Sequence, residues 1–64
     1  MTLIICDDCR TIHVHRIRKV SSAESVKEIV YAASLEHKSA WLYDDRGNCV
    51  GACAQGESPK VVIG

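Results

Sequence analysis

The chain has 64 residues, with eight basic and eight acidic side chains and a formal net charge of zero. A chain of this length forms one domain at most, and it buries only about 60% of the surface that its unfolded state exposes, which excludes a deep catalytic cleft behind a complete core. The zero net charge excludes a global attraction to nucleic acid or to membranes. An apolar fraction of 47% argues against a disordered tail.

Two strands are predicted in the first 20 residues. Residues 2–6 form a short apolar run that is typical of a buried strand, and residues 11–20 begin with strict alternation. The alternation puts Ile12 and Val14 on one face of the strand and His13 and His15 on the other. Ile17 then falls on the histidine side, so we expect either a bulge near Arg16 or an exposed strand end.

A helix from about Ser22 to His37 is the clearest element of the sequence. Ser21 and Glu24 have the spacing of a capping box. At 100° per residue, one apolar stripe ends on His37. Its members are Ala23, Val26, Ile29, Val30 and Ala33. Tyr31 and Leu35 fall on the opposite, charged face.

Residues 40–54 predict a β-hairpin, because 44–48 is a strong turn sequence in which Gly47 supplies the left-handed position. A regular register would pair Tyr43 with Cys49, Leu42 with Val50 and Trp41 with Gly51. One face would then carry small and aliphatic residues: Ala40, Leu42, Val50 and Ala52. The other would carry the aromatic residues and the thiols: Trp41, Tyr43, Cys49, Gly51 and Cys53.

The predicted order is therefore β-β-α-β-β in a single domain of residues 1–64, in which 55–64 form a loop and a short last strand or tail. We expect an α+β fold, a small antiparallel sheet with the helix packed on one face. The Leu42 and Val50 side of the hairpin is expected to pack on the helix at Val26, Ile29, Val30 and Ala33.

Four cysteines in two close pairs admit several chemistries: Cys6 and Cys9 as a C-x-x-C, and Cys49 and Cys53. The leading interpretation is reduced, buried thiols, since free cysteine is among the most buried residue types. Structural zinc is the first alternative, and disulfides and a redox-active pair follow. Asp7 and Asp8 between the first two thiols disfavour a thioredoxin-type thiolate.

Strand geometry limits the zinc alternative. On a straight strand Cys49 and Cys53 are about 13 Å apart, whereas the ligands of one tetrahedral zinc lie roughly 4 Å apart. All four thiols could bind one ion only if Gly51 breaks the strand. Otherwise at most one of this pair joins Cys6 and Cys9, with His13, His15 or His37 as a fourth ligand.

Half of the basic residues lie between positions 10 and 20, where no acid interrupts them. Together with the aromatic side of the hairpin, this stretch predicts a partner-binding surface on the open face of the sheet. The expected residues are His13, His15, Arg16, Arg18, Trp41 and Tyr43. Aromatic and arginine side chains on such a face anchor protein interfaces or stack bases. Tyr31 and Leu35 on the helix are a rival surface.

No phosphate loop, nucleophile elbow or motif-placed acid pair is present in the sequence, so we expect a non-enzymatic protein. The favoured function is a small cytoplasmic regulator or inhibitor, of the kind carried by phages and mobile elements, that acts by protein–protein contact without a required cofactor. The first alternative is a zinc-stabilised nucleic-acid-binding module, and the second is a small thiol-redox protein. The N-terminus lacks a signal-peptide pattern, no membrane association is expected, and a homo-oligomer stays an open alternative.

Overall fold

The computed structural model describes residues 1–7, 12–18, 20 and 22–62. The described elements are one helix and five strands: β1 Thr2–Cys6, β2 Ile12–Arg16, α1 Ala23–Glu36, β3 Ser39–Tyr43, β4 Cys49–Ala54 and β5 Lys60–Val61. The strands form one sheet in the order β2-β1-β3-β4-β5, and all neighbouring strands are antiparallel. The helix packs on the β3–β4–β5 part of one face. The predicted α+β architecture is confirmed.

The helix begins one residue later than the capping-box pattern predicts. Ser22 is the N-cap, and its Oγ accepts a hydrogen bond from the backbone N–H of Ser25 at 3.2 Å. This bond satisfies one of the unpaired amides of the first turn. The predicted cap, Ser21, lies outside the described residues. Glu24 places its carboxylate in the first turn, where the helix dipole favours negative charge.

The core lies between the helix and the sheet. Val26 and Val30 are fully buried, and Ile29 and Ala33 pack beside them, as the apolar stripe predicts. Ala23, the first residue of that stripe, is exposed. The sheet side of this core consists of Leu3, Ile5, Ala40, Leu42 and Cys53.

Ser34 is a buried polar residue that the stripe did not include, and its hydroxyl is satisfied. Its Oγ lies 2.7 Å from the carbonyl oxygen of Tyr31, to which it donates, and 3.2 Å from the Sγ of Cys53. Because the hydroxyl bonds back to its own helix, a polar group is accommodated in the core at little cost. The helix therefore buries a serine directly over the thiol of Cys53.

The hairpin turn forms where the sequence predicts it. The carboxylate of Asp44 accepts hydrogen bonds from the backbone N–H groups of Arg46 and Asn48, both at 2.9 Å. These bonds hold the pKa of the Asp44 carboxyl below its ordinary value, with the Asn48 amide as the largest cause. Gly47 has a φ of 87°, which glycine adopts without strain.

The register of the hairpin differs from the prediction beyond its first pair. Tyr43 faces Cys49 as predicted, but a bulge follows, so Leu42 faces Gly51 and Trp41 faces Ala52. Since each residue step reverses the face of a side chain, the bulge moves Gly51 and Cys53 to the helix side and Ala52 to the other side. The predicted faces of Gly51, Ala52 and Cys53 are therefore wrong, whereas Cys49 faces Tyr43 and Val50 packs against the core as predicted.

Gly51 lies directly under the helix. A Cβ atom at this position would be 2.5 Å from Cγ1 of Val26, which is closer than nonbonded carbon atoms approach. The absence of a side chain at Gly51 therefore allows the helix to come down onto β4. The bulge is what brings this glycine, rather than Val50, opposite Leu42.

Replacing Val30 by Asp should unfold the protein. An unpaired carboxylate in this fully buried position costs several kcal/mol, against a total stability of about 5 kcal/mol. Circular dichroism during heating measures the effect. Tyr31→Asp is the matched control, because Tyr31 is on the exposed side of the same helix. Equal melting temperatures for both variants would show that the helix is not oriented as described.

Adding a methyl group at Gly51 should destabilise the protein by about 1–3 kcal/mol, because the methyl overlaps Val26. Val26→Ala alone should also destabilise it, by about 2 kcal/mol, by leaving a cavity. The double variant should be more stable than the sum of the two losses predicts, since the new methyl occupies the vacated space. Urea unfolding of the four proteins measures this coupling. Strict additivity would mean that the two side chains do not meet.

Candidate functional site: the open sheet face

The sheet face opposite the helix carries a continuous row of apolar side chains, which we call the apolar row. Val14 of β2 faces Ile4 of β1, Ile4 faces Trp41 of β3, and Trp41 faces Ala52 of β4. Residues that face each other on adjacent strands project to the same side of a sheet. The apolar row therefore crosses four strands, and it ends at Lys60 of β5.

Two large aliphatic residues of this face are highly exposed. Val14 and Ile12 of β2 have 62% and 64% of their surface accessible, whereas Ile4 and Trp41 are half-buried within the sheet. Beside the apolar row, a second row combines a cation, a hydroxyl, an aromatic ring and a thiol. It consists of Arg16, Thr2, Tyr43 and Cys49.

The structure divides the six residues of the predicted partner-binding surface. Arg16, Trp41 and Tyr43 share the open face, whereas Arg18 is exposed beyond the end of β2. His13 and His15 project to the helix side, because they face Ile5 and Leu3 of the core. The six residues therefore do not form one surface, as the prediction had them. The alternation within β2 is confirmed, but its aliphatic side faces outward.

Ile17, which breaks the apolar alternation of β2, lies on the same side of the sheet as His13 and His15. The described pairing of β2 with β1 runs without a bulge from Ile12 to Arg16, and it continues to Ile17 through hydrogen bonds with Met1. Ile17 therefore stays on the histidine side, where it packs against the edge of the core. The alternative of a bulge near His15 and Arg16 is wrong.

The two histidines of β2 belong to a cluster at the C-terminal end of the helix. The Nδ1 of His37, the helix C-cap, hydrogen-bonds Oδ1 of Asp7, and the Nε2 of His13 lies 3.4 Å from Oδ2 of the same carboxylate. The ring of His15 stacks on that of His13, with centroids 6.4 Å apart. An ionised carboxylate can only accept, so the imidazoles donate. This cluster ties the helix end to the β1–β2 side of the sheet.

These contacts favour the ionised form of the Asp7 carboxyl. The pKa of the Asp7 carboxyl is lowered, chiefly by the hydrogen bond from His37 and further by that from His13, although partial desolvation opposes them. The carboxylate is therefore ionised at neutral pH. The sequence indicates each of these histidines separately, but no local pattern brings them to Asp7, because the residues come from different parts of the fold.

The cysteines lie on both sides of the sheet. Cys6, at the end of β1, and Cys53, beneath the helix, are buried, whereas Cys49 is exposed on the open face with a free thiol. Because the bulge puts Cys49 and Cys53 on opposite faces, they do not converge on one ion. Gly51 continues β4 and does not break it. The zinc hypothesis that remains is therefore the one in which only one thiol of this pair joins Cys6 and Cys9. Cys9 lies outside the described residues.

Among the residues that the structure describes, no group of three or more His, Cys, Asp or Glu side chains has an arrangement that could hold a metal ion. Within the same ranges, no helix has the length and apolar character needed to cross a membrane. Comparison with protein families, with curated proteins and with solved structures gives no match to this chain.

Replacing Asp7 by Asn should destabilise the protein at neutral pH, and the deficit should shrink in acid. Because the folded-state pKa of Asp7 is lowered, its stabilising contribution is present above about pH 4 and is lost as the pH falls through the folded value. Melting temperatures of both proteins between pH 7 and pH 2 test this. Glu57→Gln, which removes an exposed carboxylate in the β4–β5 loop, is the control. A deficit that is independent of pH would contradict the ionic role of Asp7.

Proposed function

We propose that this protein is a small non-enzymatic binding protein that regulates or inhibits a partner protein by contact through the open sheet face. The apolar row is the observation that carries the proposal. A helix on one face of the sheet completes the core, yet the other face has four apolar side chains in line, with Ile12 beside them. Contiguous exposed apolar surface of this kind marks an interaction site.

The composition of the face fits a protein partner. Trp, Tyr and Arg are the side chains most enriched at the energetic centres of protein interfaces. Trp41 and Tyr43 lie two residues apart on β3, and Arg16 lies in the row of Tyr43 with Thr2 of β1 between them. Half-burial holds the two rings in place, so binding would cost little side-chain entropy. The complementary partner surface would be apolar at its centre, with a carboxylate near Arg16.

The charge distribution ranks nucleic acid below protein as the partner. Affinity for nucleic acid depends chiefly on neutralising phosphates with several cations, whereas the described rows of the open face carry Arg16 and Lys60. The net charge of the chain is zero. Trp41 and Tyr43 could stack bases, so binding to single strands is the competing outcome in the experiment below.

The proposal is non-catalytic because the thiols of Cys49 and Cys53 lie apart from the acid–base groups around Asp7. The exposed thiol of Cys49 is on the open face, that of Cys53 is beneath the helix, and the Asp7 carboxylate with its histidines is at the helix end. A thiol nucleophile requires a general base within its hydrogen-bond reach.

An open-face variant, Arg16→Glu/Trp41→Ala, should lose binding to the partner, whereas a helix variant, Tyr31→Ala/Leu35→Ala, should keep it. Each variant changes two residues that are exposed or half-buried, so the two variants are matched in the number of substitutions. The measurement is quantitative capture of partner from cells of the source organism, followed by titration with the purified partner. Melting temperatures confirm that both variants are folded.

Loss of binding in the helix variant alone would contradict the proposal, because Tyr31 and Leu35 would then be the working surface. Binding of bare single-stranded DNA or RNA that weakens steeply with salt and is lost in the open-face variant would also contradict it. That result would support the nucleic-acid alternative.

A further inference from the structure

The outer edge of β2 is, among the described residues, the longer of the two sheet edges without a partner strand. β2 and β5 are the two edges of the sheet, and β5 has only two residues. β2 has five residues, and all five side chains are exposed. Within the part of the chain that the structure describes, no strand pairs with the outer side of β2. Natural proteins usually protect an edge of this length with charge, proline or a covering segment.

The hydrogen-bond pattern shows which groups of β2 point outward. Met1 and Ile17 exchange two main-chain bonds, N–H of Ile17 to O of Met1 at 2.9 Å and N of Met1 to O of Ile17 at 3.0 Å. Bonded and non-bonded pairs alternate in an antiparallel ladder, and the register is continuous. His15 and His13 therefore bond inward to β1. The outward N–H and C=O groups belong to Ile12, Val14 and Arg16.

We propose that the outer edge of β2 pairs with β2 of a second copy of this chain, antiparallel, around a two-fold axis at Val14. The outward groups of Val14 would bond those of its symmetry mate, and the groups of Ile12 would bond those of Arg16 in the other copy. Three N–H and three C=O groups from each strand give about six hydrogen bonds. The two sheets would join into one.

The sequence of β2 is symmetric about Val14 in a way that suits self-pairing. Ile-His-Val-His-Arg places valine on valine and histidine on histidine, and it places Ile12 on the aliphatic stem of Arg16. The two guanidinium groups fall at opposite ends of the paired strands, so they do not repel each other closely. Val14 and Ile12, which are among the most exposed large aliphatic side chains, would gain cross-strand neighbours.

This symmetry favours a second copy over an unrelated strand, because every position of β2 meets a compatible side chain from the same sequence. Pairing would also join the apolar rows of the two copies at Val14, which would double the length of the open face. Two five-residue strands bury less than the roughly 1,600 Å² of a standard interface. The dimer is therefore expected to dissociate on dilution.

Sedimentation equilibrium under reducing conditions, from about 10 μM to about 500 μM, tests the proposal. The mass should rise from 7.0 kDa to about twice that value as concentration increases. Val14→Lys and Val14→Glu should each raise the dissociation constant about tenfold or more, because like charges then face each other across the axis. An equimolar mixture of the two variants should restore the dimer. Tyr31→Lys, on the helix, should leave it unchanged.

Amide hydrogen exchange tests the same pairing without a substitution. The amides of His13 and His15 should be protected at all concentrations, since they bond to β1. Those of Ile12, Val14 and Arg16 should become protected only as the concentration rises. A monomer at about 500 μM, a dimer that both Val14 variants retain, or outward amides that exchange equally fast at all concentrations would each overturn the proposal.

Discussion

The contact of the helix with Gly51 is the constraint on which the rest of this structure depends. Val26 occupies the space where any other residue at position 51 would place its Cβ atom. Two valines of the helix can therefore be fully buried against β3 and β4, although the chain has no phenylalanine to fill a deeper core. The bulge at Leu42 and Tyr43 places Gly51 under the helix. Because the total stability of a small domain is only a few kcal/mol, losing this contact would remove a large part of it.

The same bulge decides what each face of the sheet presents. On the helix side it puts Cys53 next to the hydroxyl of Ser34, and on the other side it aligns Ala52 with Trp41. Because Ile12 and Val14 project to the face opposite the helix, these aliphatic residues of β2 receive no cover from it. The Asp7 cluster fixes the helix end on the β1–β2 side without burying β2. The fold thus leaves both an apolar row and a free edge for contacts with other chains.

Local patterns were sufficient to predict the elements of this fold. Alternation, the helical stripe and the Asp44–Asn48 turn each depend on neighbouring residues, and the structure has the helix, the hairpin and the antiparallel sheet where those patterns lie. The bulge could not be predicted, because it depends on whether Gly51 or Val50 fits under Val26. Alternation showed that Ile12 and Val14 share a face, but whether that face is covered depends on the position of the helix.

Of the candidate site, the part that lies within one strand could be predicted from the sequence. The aromatic side of β3 follows from alternation within one strand, so Trp41 and Tyr43 were correctly expected to lie together. Their association with Arg16 rather than with His13 or His15 depends on the pairing of β1 with two strands at once. The contacts of Asp7 with His13 and His37 form only in the tertiary fold, because no spacing in the sequence brings those side chains together.

Thiol labelling of the native protein tests most directly the claim that the bulge separates the two faces. Cys49 and Cys53 are four residues apart, and on a regular strand they would share a face and similar accessibility. We expect Cys49 to react rapidly and Cys53, which is 4% exposed, to react only as the protein opens. Peptide mass spectrometry distinguishes the two sites. Equal labelling rates for both thiols in protein that stays folded would contradict the account.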